Sequence, residues 1–217
     1  MSPHSRRLKG KSLKRKTATK SVLKTFRIYA EGTSTEPEYI DALKRLPQFS
    51  EALSIVFSIE RAGAVPMTLV DAACEDKRSS KLDVDFYWCV FDVESPQNHP
   101  NLASSLDKAR ANGINLAISN PCFELWLVLH LQEHSAHLST DDAVRLRGQL
   151  DGSASKHLSA DLYMETRGDA IRRAKALRRR HTLDDTIFPN DNPSSSFDEL
   201  ISQFENEIKV ANGKPSN

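Results

Sequence analysis

The chain has 217 residues, of which 27% are charged and 39% hydrophobic, and its formal net charge is +1. That length suits one domain with elaborations, or one domain plus a small appendage, with enough apolar material for a sizeable core. No apolar run approaches the roughly 20 residues needed to span a bilayer, and the charged start is not followed by the apolar segment of a secretory signal, so a cytoplasmic protein with no membrane role is expected.

Charge is unevenly distributed. Residues 1–22 carry Arg6, Arg7, Lys9, Lys11, Lys14, Arg15, Lys16 and Lys20 without an acid, and lack apolar periodicity. They read as a disordered basic arm, either a solubilising tail or a source of salt-sensitive phosphate contacts. Cys74, Cys89 and Cys122 are widely spaced and each lies in or beside an apolar segment, which favours buried, reduced thiols over disulfides or a zinc site.

The first predicted strand covers about 25–30 and stops at Glu31-Gly32. Thr33 and Ser34 lead into a helix from Thr35, where Thr35-Glu36-Pro37-Glu38 reads as an N-cap with a capping-box glutamate and an early proline. Gly32 permits a tight turn, and the Thr33 and Ser34 hydroxyls with the free amides of the helix start form a candidate phosphate cradle.

A second strand is predicted at 53–59 and a helix from Pro66 to about Arg78. The third strand, from Phe86, ends at Asp92 and is followed by Val93-Glu94 and a turn-rich loop, Ser95 to Pro100. A helix over 102–111 and a fourth strand over 113–119 come next. Strands alternating with helical stretches of this length predict an α/β fold with a mostly parallel central sheet flanked by helices.

Ser119-Asn120-Pro121 then precedes a strongly apolar helix, with Ser119 or Asn120 as its cap and Pro121 as its first residue. Glu124 sits in the first turn of this helix among large apolar side chains, a setting in which an acid needs a partner or a metal. His130 and His134 share one helical face, but no acid follows in the pattern of a zinc peptidase. His130 therefore reads as a site-adjacent or core histidine, and His134 and His137 as surface residues. From Asp141 the chain is mainly helical, over about 140–150, 161–180 and 197–210. The middle helix carries Arg172, Arg173, Lys175, Arg178, Arg179 and Arg180, either a solvated face or a path for a nucleic-acid backbone. The expected organisation is a basic arm (1–22), an α/β core (23–135) and a helical C-terminal extension (136–217) packed on it.

The chemistry is expected at the strand ends. In an open α/β sheet, ligands bind beyond the carboxyl ends of the strands where the strand order reverses, which would bring Glu31, Asp92 and Glu94 together. Taken singly, each acid is better read as facing solvent or capping the next helix; it is the combination of the three that points to a site. Carboxylates held close together cannot all stay ionised without a cation, and all-oxygen ligation suits Mg2+ or Mn2+.

Glu31-Gly-Thr-Ser-Thr-Glu-Pro-Glu-Tyr39, Val90-Phe-Asp-Val-Glu94, Ser119-Asn-Pro-Cys-Phe-Glu-Leu-Trp126 through His130, Lys156 ahead of Asp161-Leu162-Tyr163, and Asn192-Pro-Ser-Ser195 together resemble the RloB-like family. The resemblance covers nearly the whole chain after the basic arm. It implies a Toprim-like fold, with a glutamate after the first strand and a paired acidic motif after a later one around divalent metal. It also implies an effector role in bacterial anti-phage or abortive-infection defence, commonly with an AAA-type ATPase. Glu31 matches the first acid and Asp92 the first of the pair. The second is usually aspartate in Toprim proteins, whereas here it is Glu94, whose extra methylene bears on the near-ideal octahedral geometry that magnesium demands. Glu124, His130 and Lys156 match family positions too.

The leading expectation is metal-dependent phosphodiester hydrolysis of DNA or RNA, with Glu31, Asp92 and Glu94 as metal ligands. Lys156 would stabilise developing charge, and Glu124 would hold a second metal or orient the water. Gly32, Thr33, Ser34 and His130 complete the candidate binding set, and homo-oligomers are compatible with the sequence. The alternative is a catalytically silent, metal- or nucleotide-binding regulatory subunit docked on an ATPase. Phosphoryl or nucleotidyl transfer is the poorer reading, because no Walker-type glycine-rich loop is present.

Overall fold

The structure is a computed structural model, and it describes residues 23–32, 34–59, 65–79, 83–152 and 158–212. The basic arm, Thr33 and Lys156 lie outside the described residues.

Four parallel strands form the body of the sheet: β1 (Lys24–Ala30), β2 (Leu53–Ile59), β3 (Phe86–Asp92) and β4 (Asn115–Asn120). A two-residue strand, β5 (Ser194–Ser195), pairs antiparallel with the end of β4, giving the order β2-β1-β3-β4-β5. The fold is therefore the expected α/β sheet, mostly parallel, flanked by helices and followed by a helical C-terminal part. The chain leaves β1 toward β2 on one side and returns to β3 on the other. The strand order reverses between β1 and β3, which opens a crevice beyond their carboxyl ends.

The strands read as near-continuous apolar runs because both faces of the sheet are covered. Side chains alternate between the two faces. Phe26, Ile28, Ala30, Trp88 and Val90 join one core, whereas Tyr29, Tyr87, Cys89 and Phe91 join the other. The second core is closed by α3 (Pro66–Ser79) and α4 (Leu102–Asn112). The first and larger core takes in α1 (Thr35–Arg45), a short α2 (Pro47–Ser50) and α5 (Phe123–Leu131). It also takes in α6 (Thr140–Asp151), α7 (Ala160–Glu165), α8 (Arg167–Leu183) and α9 (Phe197–Ala211). Phe204 of α9 packs edge-on against Phe26 of β1, so the last helix completes the core begun by the first strand. None of the three cysteines forms a disulfide, and all three are buried. No helix among the described residues is long and apolar enough to cross a membrane; the apolar α5 is nine residues long and is core on every side.

Several boundaries differ from expectation, each for a local reason. The helix expected over 161–180 is two helices that meet at Thr166, whose hydroxyl donates to the Leu162 carbonyl and faces His130 Nδ1. Gly113 is not strand: with φ of 62° it ends α4 in the left-handed conformation that glycine adopts readily. Ser119 and Asn120 do not cap α5. They are the last residues of β4, and the Asn120 amide donates to the Pro189 carbonyl and to Asp191, while α5 starts two residues after Pro121. The expected capping box at α1 does not form either. Ser34 is the N-cap position without a side-chain bond, and Glu38 accepts from the Leu158 amide instead.

Candidate active site

The crevice between β1 and β3 gathers acids from four chain segments. Backbone pairing continues past β1, with the Glu31 amide donating to the Val90 carbonyl. This sets the Glu31 side chain beside the end of β3, where Glu31 Oε2 lies 3.4 Å from the Asp92 amide nitrogen. Glu36 comes from the first turn of α1 and Glu124 from the first turn of α5. The Thr35 hydroxyl donates to Glu124 at 3.4 Å, linking the two helix starts. Glu94 follows β3 by two residues.

Burial and mutual charge act together on these acids. Asp92 is pushed well above the usual carboxylate range, first by burial and then by the negative charges of Glu36, Glu124, Glu31 and Glu94. Burial also raises Glu31, against the opposing effect of His99. Glu36 is pushed up to about 7 by burial, with the charges of Glu124 and Glu31 adding to the shift. The Cys122 thiol, at the start of α5, is raised well above its ordinary value by burial and by Asp92 and Glu124. The crevice thus crowds acids where solvent access is low, and ionising all of them together there is costly without a compensating cation.

The part played by Gly32 differs from the expected tight turn. A Cβ built at this position would overlap the Glu36 carboxylate, far inside van der Waals distance, so the bare glycine backbone is what admits that acid. The amides of Gly32 and of Glu36 itself are directed at the carboxylate. The amides of Gly32 and Glu36, expected to join the Thr33 and Ser34 hydroxyls in a phosphate cradle, are therefore engaged by an acid of the chain, because Glu36 folds back over them.

Glu94 reaches the site's edge rather than its centre. Its backbone is left-handed, with φ of 69°, and its amide donates to the Pro121 carbonyl. The Thr140 hydroxyl at the start of α6 donates to Glu94 Oε2 at 2.6 Å. Thr140 also accepts from the Ser95 amide, and its own amide donates to the Ser95 carbonyl. Glu94 and Ser95 are thereby fastened to α6, and the extra methylene that distinguishes glutamate from aspartate supplies the reach.

His99 was not singled out by sequence, since it lies in an aperiodic loop. Its Nε2 is 2.8 Å from Glu31 Oε1, off the line of a hydrogen bond but within ion-pair distance, and both side chains are mostly buried. Glu36 was likewise read only as part of a helix start; its distance of four residues from Gly32 was the available signal.

His130 does not join this group. It lies six residues beyond Glu124, about 9 Å along α5. Its ring packs edge-on against Tyr39, Trp126 and Tyr163, with Nε2 3.0 Å from the Tyr39 hydroxyl and Nδ1 3.0 Å from the Thr166 hydroxyl. Burial lowers it to about 3, so it is a neutral core histidine. The structure brings together Glu31, Asp92 and Glu124 with Gly32, holds Glu94 at the rim, and leaves His130 in the core.

Chemically, the donor set is all carboxylate oxygen, which fits a hard divalent cation. Among the described residues, no group of three His, Cys, Asp or Glu side chains is placed to hold a metal ion as the side chains stand: Glu31 faces His99, Glu94 faces Thr140, and Glu36 rests over Gly32.

Comparison with curated proteins and with solved structures found no match. The model of the family described as RloB-like protein matches residues 26–204, a span that runs from β1 into α9 and contains every acid of the crevice. The chain belongs to the RloB-like protein family.

Proposed function

We propose that the protein is a divalent-metal-dependent phosphodiesterase acting on nucleic acid, a nuclease of Toprim type. The observation that supports this best is the state of Asp92: a mostly buried carboxyl at the end of a central strand, facing the charges of Glu36, Glu124, Glu31 and Glu94. A crevice of this kind favours a cation strongly, and its position at the reversal of strand order is where α/β folds bind ligands. Glu31, Asp92 and Glu124 are the residues that would hold Mg2+ or Mn2+, with Glu36 beside them. Bound there, the metal supplies an activated water and neutralises charge on the phosphate. His99 keeps Glu31 in place, and the mostly buried crevice limits access of bulk water. Membership of the RloB-like family supports a place among effectors of anti-phage defence, working with an AAA-type ATPase.

The test is cleavage of plasmid DNA and of total RNA with Mg2+ or Mn2+, alone and with a neighbouring ATPase, comparing the parent with Glu31→Gln and Asp92→Asn. Calorimetric titration of Mn2+ gives an independent readout. Loss of both Mn2+ binding and cleavage in folded variants is expected; full activity in Asp92→Asn sinks the reading.

The bond between Thr140 and Glu94 favours a second reading, a silent metal-binding regulatory subunit, because it engages an acid expected to be a ligand. A folded protein that binds Mn2+ yet cleaves neither substrate, with or without the ATPase, would select it.

A further inference from the structure

The cations of α8 fall into two groups once their partners are seen. Arg173 and Arg178 are structural. Arg173 Nη1 donates to the carbonyls of Leu129 and His130, closing the end of α5. Arg178 grips the fully buried Asp198 through two hydrogen bonds, at 2.5 and 2.9 Å, and also donates to the Ser195 carbonyl.

The rest face solvent. Arg172, Lys175, Arg179 and Arg180 are exposed. Among the described residues, Arg172 and Arg180 make only exposed pairs within or at the end of the helix, with Asp169 and Asp184. Such pairs contribute little and exchange readily. Lys175 and Arg179 have no ion pair or hydrogen bond among the described residues. At 100° per residue, Arg172, Lys175 and Arg179 fall on one stripe of the helix, about 10 Å long from first to last.

The direction of the stripe follows from the two structural arginines. Arg173 touches the end of α5 and Arg178 touches β5, which pairs with the last residues of β4 just ahead of α5. Helix α8 therefore runs antiparallel to α5, back toward the edge of the sheet that carries the acids. Asp92, Ser119 and Ser195 lie in one row across three neighbouring strands. At about 4.8 Å per strand, the carbonyl gripped by Arg178 stands roughly 10 Å from Asp92. The groove between the end of α5 and α8, lined by Glu133, His134, Ser135, Arg172, Ala176 and Arg180 among others, runs along α8 beside the same stripe.

We infer that the exposed face of α8, centred on Arg172, Lys175 and Arg179, is a track for the backbone of a nucleic-acid strand leading to the acidic crevice. A stripe of about 10 Å carrying three cations is long enough to meet two or three successive phosphates of one strand. The strip of positive charge beside an acid-lined crevice separates the two tasks: α8 holds phosphates away from the acids, and the acids act where a cation compensates them. This inference deepens the phosphodiesterase reading and rests on it for the identity of the polyanion.

The test is equilibrium binding of a fluorescent 20-nucleotide single strand, DNA and RNA separately, to the full chain in EDTA, over a series of salt concentrations. Lys175→Ala/Arg179→Ala, two exposed positions without ion pairs, should weaken binding about tenfold. It should also flatten the salt dependence by about 1.5 in the log–log slope, at about 0.7 for each phosphate that is no longer neutralised. Lys44→Ala/Arg110→Ala, with the same change in charge elsewhere on the surface, should leave both unchanged. Equal binding by the α8 variant and the parent, or equal weakening by the control, overturns the track and leaves the stripe to an acidic protein partner. Because EDTA removes any need for cleavage, failure of the nuclease reading shows separately, as intact track-dependent binding without cleavage when metal is added.

Discussion

Gly32 and Glu36 occupy one volume between them: the carboxylate of Glu36 lies where a side chain at position 32 would have to be. Any side chain at 32 displaces the acid, and because the displaced atoms are the end of a flexible chain, the backbone need not move. Gly32→Ala is therefore expected to cost little stability while lowering Mn2+ affinity at least about tenfold. In the Glu36→Ala background the same change should add nothing further, since the atoms it displaces are gone. Calorimetric Mn2+ titration with thermal melting of the four proteins of this cycle checks it; additive losses would mean that Gly32 acts independently of Glu36.

Stability of the metal-free protein should depend on pH through Glu36. Its folded value of about 7 lies above the ordinary 4.5, chiefly through burial. Between those values the native state holds more protons than the unfolded chain, so stability is present at low pH and is lost as pH rises through this window. The loss is on the order of 3 kcal/mol. Urea unfolding in EDTA at pH 5 and pH 8 should show Glu36→Gln gaining stability relative to the parent at pH 8 and little at pH 5. Equal pH dependence in the two proteins would contradict the assignment.

His130 acts in the opposite sense. Its folded value of about 3 lies below 6.5, because burial disfavours the imidazolium. Its contribution is present above about pH 6.5 and is lost as pH falls toward 3, at about 1.4 kcal/mol per pH unit. The ring proton resonances of His130 should stay flat in an NMR titration from pH 8 to pH 5. Movement in that range would place the ring in contact with water.

The link between Glu94 and Thr140 predicts a coupling energy. Removing the hydroxyl in Thr140→Val, or shortening the acid in Glu94→Asp, should each cost about 1–2 kcal/mol, since the acceptor is charged. The double variant should cost no more than either single one. Denaturant titrations of the cycle measure the coupling directly, and a coupling near zero would show that the hydrogen bond contributes nothing in solution.

Two neighbouring arginines of α8 should behave differently. Arg178→Ala leaves Asp198 buried and unpaired, an expected loss of about 3–5 kcal/mol. Arg179→Ala removes an exposed side chain and should change stability by less than about 0.5 kcal/mol. Chemical denaturation of the two variants tests whether the run of cations divides as the structure indicates.

What the sequence determined by itself is local. Apolar strand runs, helix periodicity and their alternation specify an α/β fold, because each element's burial is written in the spacing of its own residues. The acids at the ends of β1 and β3 were legible for the same reason, since a buried strand that stops at a carboxylate announces its own edge. The tertiary structure decided the rest. Glu36 and Glu38 are two acids in the first turn of one helix, yet one folds over Gly32 into the crevice and the other binds a backbone amide 120 residues away. Arg178 and Arg179 are adjacent cations, one gripping a buried aspartate and one facing water. His99 gains its meaning from Glu31, 68 residues earlier, and β5 exists as a strand because the end of β4 offers a free edge. In each case the side chain's role depends on which distant group packing brings beside it, and that pairing is not encoded in local spacing.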